Sequence, residues 1–307
     1  MSVEYPFRNY VFLYGASAKS EVVTYVRTEC IPEEQDHLDD ILSDWQTASK
    51  VFEDLEQAEI GEPEAIDVQE IPSEQLSKVQ QIQGDSLFKQ SFSLLPYEFK
   101  LVEIDRLVAS QRAVNLDYVE LLKKRVPPKP DVSNLIDICL SAKTQVKPPA
   151  EQILAQNVYS YTSENLDFRF LGGFQKPLCQ DDINACTAGG VPLSAIVLLV
   201  GLGAGSMNAL SYKGRIILNN GFHRAFALRS LGVTHIPLIV QKVTNPQLEV
   251  PQTIANLPRE YVLGAQRPAL VKDFSNPNLT KTLRVKARNR VVQVQWGANQ
   301  FSLPIVG

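Results

Sequence analysis

The sequence predicts an α+β protein, on three observations. Of 307 residues, 44% are apolar and 21% charged, so the chain can bury a core and is not globally disordered. Residues 38–55 carry apolar side chains at a spacing near 3.6, the signature of an amphipathic helix. Residues 196–243 alternate β-branched apolar runs with glycine turns and one short helical segment. The length fits about two domains, or one domain with extensions.

Taken in order, residues 5–14 (aromatic-rich) and 21–27 (Glu-Val-Val-Thr-Tyr-Val-Arg) read as short strands. Leu38, Ile41, Leu42, Trp45, Val51, Phe52 and Leu55 define the amphipathic helix. From Glu59 to about residue 90 the apolar content thins, which predicts a linker or loosely held loop. Residues 99–104 read as a strand, 117–124 as a helix stopped by Pro127-Pro128, and 134–140 as a further helix. Ile196–Val200 reads as a buried strand, followed by the glycine-rich run 201–206. That run superficially suits a dinucleotide loop, but residues 207–215 lack a helical stripe, so a flexible β–β connection is expected instead. Residues 215–218 form the next strand, 223–231 a helix with Gly232 at its C-terminal stop, and 236–240 another strand. At the end of the chain, 282–296 alternates as strands do.

Charge is unevenly placed. Between Glu33 and Asp85 stand sixteen acids, two lysines and no arginine, net −14, against +10 for the remainder. The acidic segment is either solvated surface or a partner for a basic surface on the same chain. Arg284, Lys286, Arg288 and Arg290 share one parity, so an extended ribbon would line them along one face, whereas a turn at 287–289 would split the row. Such a row suits DNA backbone, the acidic segment, or a plain solvated sheet face. No base-reading motif accompanies it. The four cysteines are scattered without C-x-x-C and only three histidines exist, which excludes a zinc site of the usual spacing and fits a reducing, cytoplasmic setting. The start shows no secretion signal. The thirty uncharged residues 183–212 are broken by Pro192 and Gly201, Gly203 and Gly205, so a strand and turn are expected there rather than a membrane span.

The most informative segment is the strand, Asn219-Asn220-Gly221 turn and helix start at Phe222-His223-Arg224. A helix N-terminus offers free N–H groups and the positive dipole end to an anion. Gly221 permits close approach, and His223 and Arg224 add donors. Alternatively, Asn219 or Asn220 caps the helix, Arg224 pairs with a carboxylate, and His223 is structural.

Residues 214–240 resemble the second box of the ParB/sulfiredoxin superfamily, in which a strand leads to G-x-H-R or G-E-R-R, an Ala-rich helix, a Leu-Gly stop and an Ile-Pro strand. Residues 101–112, ending in Gln111-Arg112, with 117–122 resemble the first box. The resemblance implies an α+β mixed sheet with helices that binds ATP or CTP with Mg²⁺, phosphates lying at the helix after the second box. Carried over, Asn219, Asn220, Gly221, His223 and Arg224 would hold the nucleotide, with Gln111 and Arg112 approaching from the first box. Phe222 stands where sulfiredoxins have their cysteine, so sulfinic acid reduction is not expected. Asn220 replaces the aspartate of serine-kinase-like relatives, leaving Glu103 and Asp105 to supply any base for phosphoryl transfer or hydrolysis. ParB proper has a helix-turn-helix after this domain, and no such pair is visible after Val243. The expected organisation is therefore an N-terminal extension (1–95), a nucleotide-binding domain (96–250) and a small basic β-rich tail (251–307). Nucleotide binding is the favoured function, with a non-catalytic protein-interaction scaffold and a DNA-binding protein as alternatives, and no membrane partner.

Overall fold

The computed structural model describes residues 5–141, 147–165, 167–179, 181–182, 190–203, 205–255 and 257–304. Cys186, residues 183–189 of the uncharged run, and Ala204 within the glycine-rich run lie outside them. The chain is mixed α+β with several sheets. It divides into two compact units, one of residues 1–144 with 204–287, the other of 145–203 with 288–307. The N-terminal region expected as a separate extension thus belongs to the same unit as the central sheet, and the tail is shared between units.

The first unit is organised on a six-stranded sheet in the order Val68–Glu70, Tyr97–Glu103, His235–Lys242, Asn208–Tyr212, Arg215–Asn220, Val108–Ala109. His235–Lys242 runs parallel to Asn208–Tyr212, and Arg215–Asn220 parallel to Val108–Ala109, while the other neighbours are antiparallel. Alternation along Arg215–Asn220 divides the core, as strand geometry requires. Ile216 and Leu218 join Leu228, Ile236, Leu238 and Ile136 on one face, and Ile217 joins Val108, Leu210, Val262 and Leu270 on the other. A three-stranded antiparallel sheet sets Phe7–Phe12 between Lys281–Lys286 and Ala113–Asn115.

The helix expected near 38–55 spans Leu38–Ala58, burying Ile41, Ala48 and Phe52. Residues 21–27, whose composition predicts a strand, lie instead in the helix Lys19–Glu29. Val22 and Val26 stand four apart and are fully buried on one helical face, and the Glu21 carboxylate accepts the Ala18 N–H at 2.9 Å, closing the first turn. Tertiary packing here outweighs β-branched propensity. The expected linker is ordered too. Val68–Glu70 forms a sheet edge, and the helices Leu76–Gly84 and Ser86–Ser91 each bury an apolar anchor, Val79 and Phe88. Phe88 packs with Phe92, Tyr97 and Phe99.

The acidic segment forms ion pairs throughout this unit. Glu34 meets Arg284 at 2.8 Å, Asp44 meets Lys281, Glu59 meets Arg267 and Lys272, Glu62 meets Lys272 and Arg106, Glu64 meets Arg215, and Glu70 meets Lys100. Arg284 and Lys286 also lie over the rings of Phe7 and Tyr5.

In the second unit, Val158–Ser163 pairs antiparallel with Ala150–Ala155 and with Arg290–Gln295. Phe168–Pro177 and Ser194–Leu202 form a separate antiparallel pair. Two expectations change here. The run 196–200 is a strand but not a buried one, since Ile196 is 81% exposed. The tail is neither one ribbon nor a hairpin. Lys281–Lys286, with Arg284 and Lys286, pairs with Phe7–Phe12, whereas Arg290 opens a strand of a different sheet and Arg288 lies between them. Among the described residues no helix is long and apolar enough to cross a membrane.

Candidate functional site

The strand Arg215–Asn220 extends through both asparagines, so Gly221, rather than Asn219 or Asn220, occupies the N-cap of the helix Phe222–Ser230. Gly221 has φ +100°, a conformation open to glycine at little cost. The space above it is filled by the chain itself. A Cβ built there would overlap Cγ of Met207, a fully buried side chain. The glycine therefore admits a methionine, the role that the sequence assigns to an anion.

Each flanking side chain has a partner within the fold. Asn219 Nδ2 donates to Asn208 Oδ1 at 2.8 Å, joining two strands, and Asn220 Nδ2 donates to the Ser206 carbonyl at 3.1 Å in the segment before the second strand, so neither caps the helix. Phe222 is buried, edge-on to Phe274 with centroids 5.0 Å apart. His223 Nε2 accepts the Asn115 N–H at 3.1 Å, and its ring meets Tyr118 edge-on. Arg224 Nη1 donates to the Ile138 and Cys139 carbonyls at 3.1 and 3.4 Å. These belong to the last turn of the helix Val132–Leu140, where a cation is favourable to the dipole.

Gln111 Nε2 turns back to the Ala113 carbonyl at 2.9 Å. Arg112 lies over the Tyr261 ring, 4.9 Å from its centroid, and its Nε and Nη1 are buried without an acceptor. Glu103 and Asp105 do not meet the turn. Glu103 holds Arg106 at 2.8 Å and accepts the Asp67 N–H. Asp105 holds Arg229, which lies in the helix's last turn, about 10 Å along the axis from its start. Among the described residues no group of three His, Cys, Asp or Glu comes together to hold a metal ion.

Burial pulls the His223 imidazole down from 6.5 to about 4, so it is neutral at physiological pH and accepts from Asn115. The sign follows from linkage. Above about pH 6.5 His223 is neutral in both folded and unfolded states and contributes nothing to pH dependence. Below that the unfolded chain takes up the proton first, so this contribution lowers stability progressively down to about pH 4, by about 3 kcal/mol in all. Denaturant unfolding across that range should show the slope, and His223→Gln should flatten it. An unchanged slope in the variant would mean that other groups carry the acid sensitivity.

The sequence does not single out Met207, Asn115, Tyr118 or Tyr261. Only Asn115 had a readable signal, an N-cap residue before the helix Leu116–Lys123, where its side chain accepts the Tyr118 N–H.

The fold and site define the chain at the level of a mixed α+β protein whose strand–glycine–helix turn is closed by its own side chains. Comparison with protein-family models, curated proteins and solved structures finds no match.

Proposed function

We propose that the chain is a non-catalytic interaction scaffold on a ParB/sulfiredoxin-like core, in which the turn that relatives use for phosphate has become part of the packing. The observation that carries this is the joint engagement of Met207, Phe222, His223 and Arg224 at the start of the Phe222–Ser230 helix. A neutral histidine whose Nε2 accepts a backbone N–H has no charge to offer a phosphate and can donate to it only through Nδ1. Turnover would further need a base beside the turn, and Glu103 and Asp105 are engaged with Arg106 and Arg229. DNA binding through the tail has less support, because Lys281–Lys286 and Arg290–Gln295 are strands of different sheets and not one continuous ribbon.

One observation favours the nucleotide reading instead. Arg112 keeps two buried N–H donors without acceptors, which an anion would satisfy. Calorimetric titration of the full chain with ATP and with CTP, each with Mg²⁺, separates the readings. The scaffold predicts no saturable heat. Micromolar binding that Arg112→Met abolishes, in a variant with unchanged circular dichroism, would establish the nucleotide site and remove the scaffold proposal.

A further inference from the structure

At one corner of the six-stranded sheet, three side chains with metal-ligating atoms converge. His235 opens the strand His235–Lys242 and lies opposite Glu103. Asp67 stands just before the edge strand Val68–Glu70, where its carbonyl accepts the Glu103 N–H at 3.0 Å and its own N–H donates to Glu103 Oε2 at 3.0 Å. Gln69, two residues further along, shares the face of Asp67. His235 Nε2 lies 2.9 Å from Asp67 Oδ2, Gln69 Nε2 lies 2.6 Å from the same oxygen, and the two nitrogens are 3.4 Å apart. Three metal bonds of about 2.1 Å at right angles, one face of an octahedron, put their ligand atoms about 3.0 Å apart. The three sides of the observed triangle bracket that spacing.

We propose that Asp67 Oδ2, Gln69 Oε1 and His235 Nε2 bind a divalent first-row transition metal ion on one face of its coordination sphere. Half a turn of the Gln69 amide brings Oε1 to the place of Nε2. The supporting contacts are already made. His235 Nδ1 lies 3.1 Å from Thr234 Oγ1, so with Nε2 on the metal the Nδ1–H donates to that hydroxyl and the tautomer is fixed. Glu103 steadies the Asp67 backbone, while both its carboxylate oxygens accept from Arg106, which spends it as a ligand. An imidazole beside two oxygens selects a transition metal over Mg²⁺ or Ca²⁺, which take oxygen ligands. The His235 and Asp67 side chains are 24% and 53% exposed, so water completes the sphere. None of these residues belongs to the Gly221 turn, so the outcome does not bear on the scaffold proposal.

Equilibrium dialysis of the full chain against Co²⁺ tests this. One ion per chain is expected, bound at micromolar concentration. His235→Ala and Asp67→Ala should each weaken binding at least tenfold, and Gln69→Glu, which adds a charge to the same position, should tighten it. Glu70→Gln, whose carboxylate instead meets Lys100, should leave it unchanged. Amide resonances of the wild-type chain read the location without any variant, because paramagnetic Co²⁺ should shift or broaden residues 67–69 and 234–235 first. No saturable uptake overturns the proposal, as does uptake that persists in a folded His235→Ala or paramagnetic effects centred elsewhere. Uptake abolished by Cys179→Ser overturns it too and assigns the ion to that exposed thiol.

Discussion

Replacing Arg267 with alanine is expected to destabilise the first unit by about 3–5 kcal/mol. The Arg267 side chain is fully buried, and Asp273 opposite it is 3% exposed. Its guanidinium donates to both Asp273 oxygens and, through Nε and Nη2, to Glu59 Oε2 at 3.1 and 2.6 Å. Burial works against the charge, yet Asp273 and Glu59 hold the guanidinium firmly protonated. Glu59 is subject to the same competition. Burial would raise its carboxyl, but hydrogen bonds from Arg267 and Lys272 hold it below its ordinary value. Truncating Arg267 leaves Asp273 buried without its counter-ion, and that uncompensated charge, more than the lost attraction, sets the magnitude. The sign of the double substitution follows. Arg267→Met with Asp273→Leu removes both charges, so it should be less destabilised than Arg267→Met alone. About 1 kcal/mol should remain, because Asp273 also accepts the Leu270 N–H at 2.8 Å. Denaturant unfolding at neutral pH measures both. A loss under 1 kcal/mol for Arg267→Ala would show that water or another cation reaches Asp273.

This network also bears on what the sequence could reveal. The segment 33–85 was legible as strongly acidic and the remainder as basic, but which charges meet depends on segments brought together from more than 200 residues apart, as with Glu59 and Arg267. Local periodicity served well where one element had a continuous stripe. The helix Leu38–Ala58 and the strand–glycine–helix–strand run from Arg215 to Lys242 were readable for that reason. It failed where a helix is held by one or two anchors. Leu76–Gly84 and Ser86–Ser91 bury one residue each, which leaves no stripe to detect. Val22 and Val26 were hidden by the β-branched composition around them. The second unit was invisible because its three-stranded sheet combines 150–163 with 290–295.

The candidate site divides along the same line. That a glycine turn would launch a helix at residue 222 was encoded locally. What fills the space over that glycine was not, since Met207 comes from just before a neighbouring strand and Asn115 and Tyr118 from a separate helix start. A turn suited to phosphate and a turn suited to a buried methionine share one local sequence pattern. Only long-range packing tells them apart.

Gly221 offers the sharpest measurement of that difference. Gly221→Ala should destabilise the first unit by about 2–5 kcal/mol, from two separable sources. A left-handed backbone at φ +100° costs an L-residue about 1–2 kcal/mol. Overlap of the new methyl with Met207 Cγ, and with Cε 2.9 Å away, adds about 1–3 kcal/mol as a buried side chain is forced aside. A double-mutant cycle resolves them. Met207→Ala alone opens a cavity and costs about 2–5 kcal/mol, but in that background Gly221→Ala keeps its backbone strain and only the 3.1 Å approach to the remaining Cβ, so the two substitutions together should cost less than their sum. Additivity would mean that Met207 does not press on the turn and that space above Gly221 is open. Such a result would return the helix start to the list of places where an anion can bind, and would do so without any ligand in the experiment.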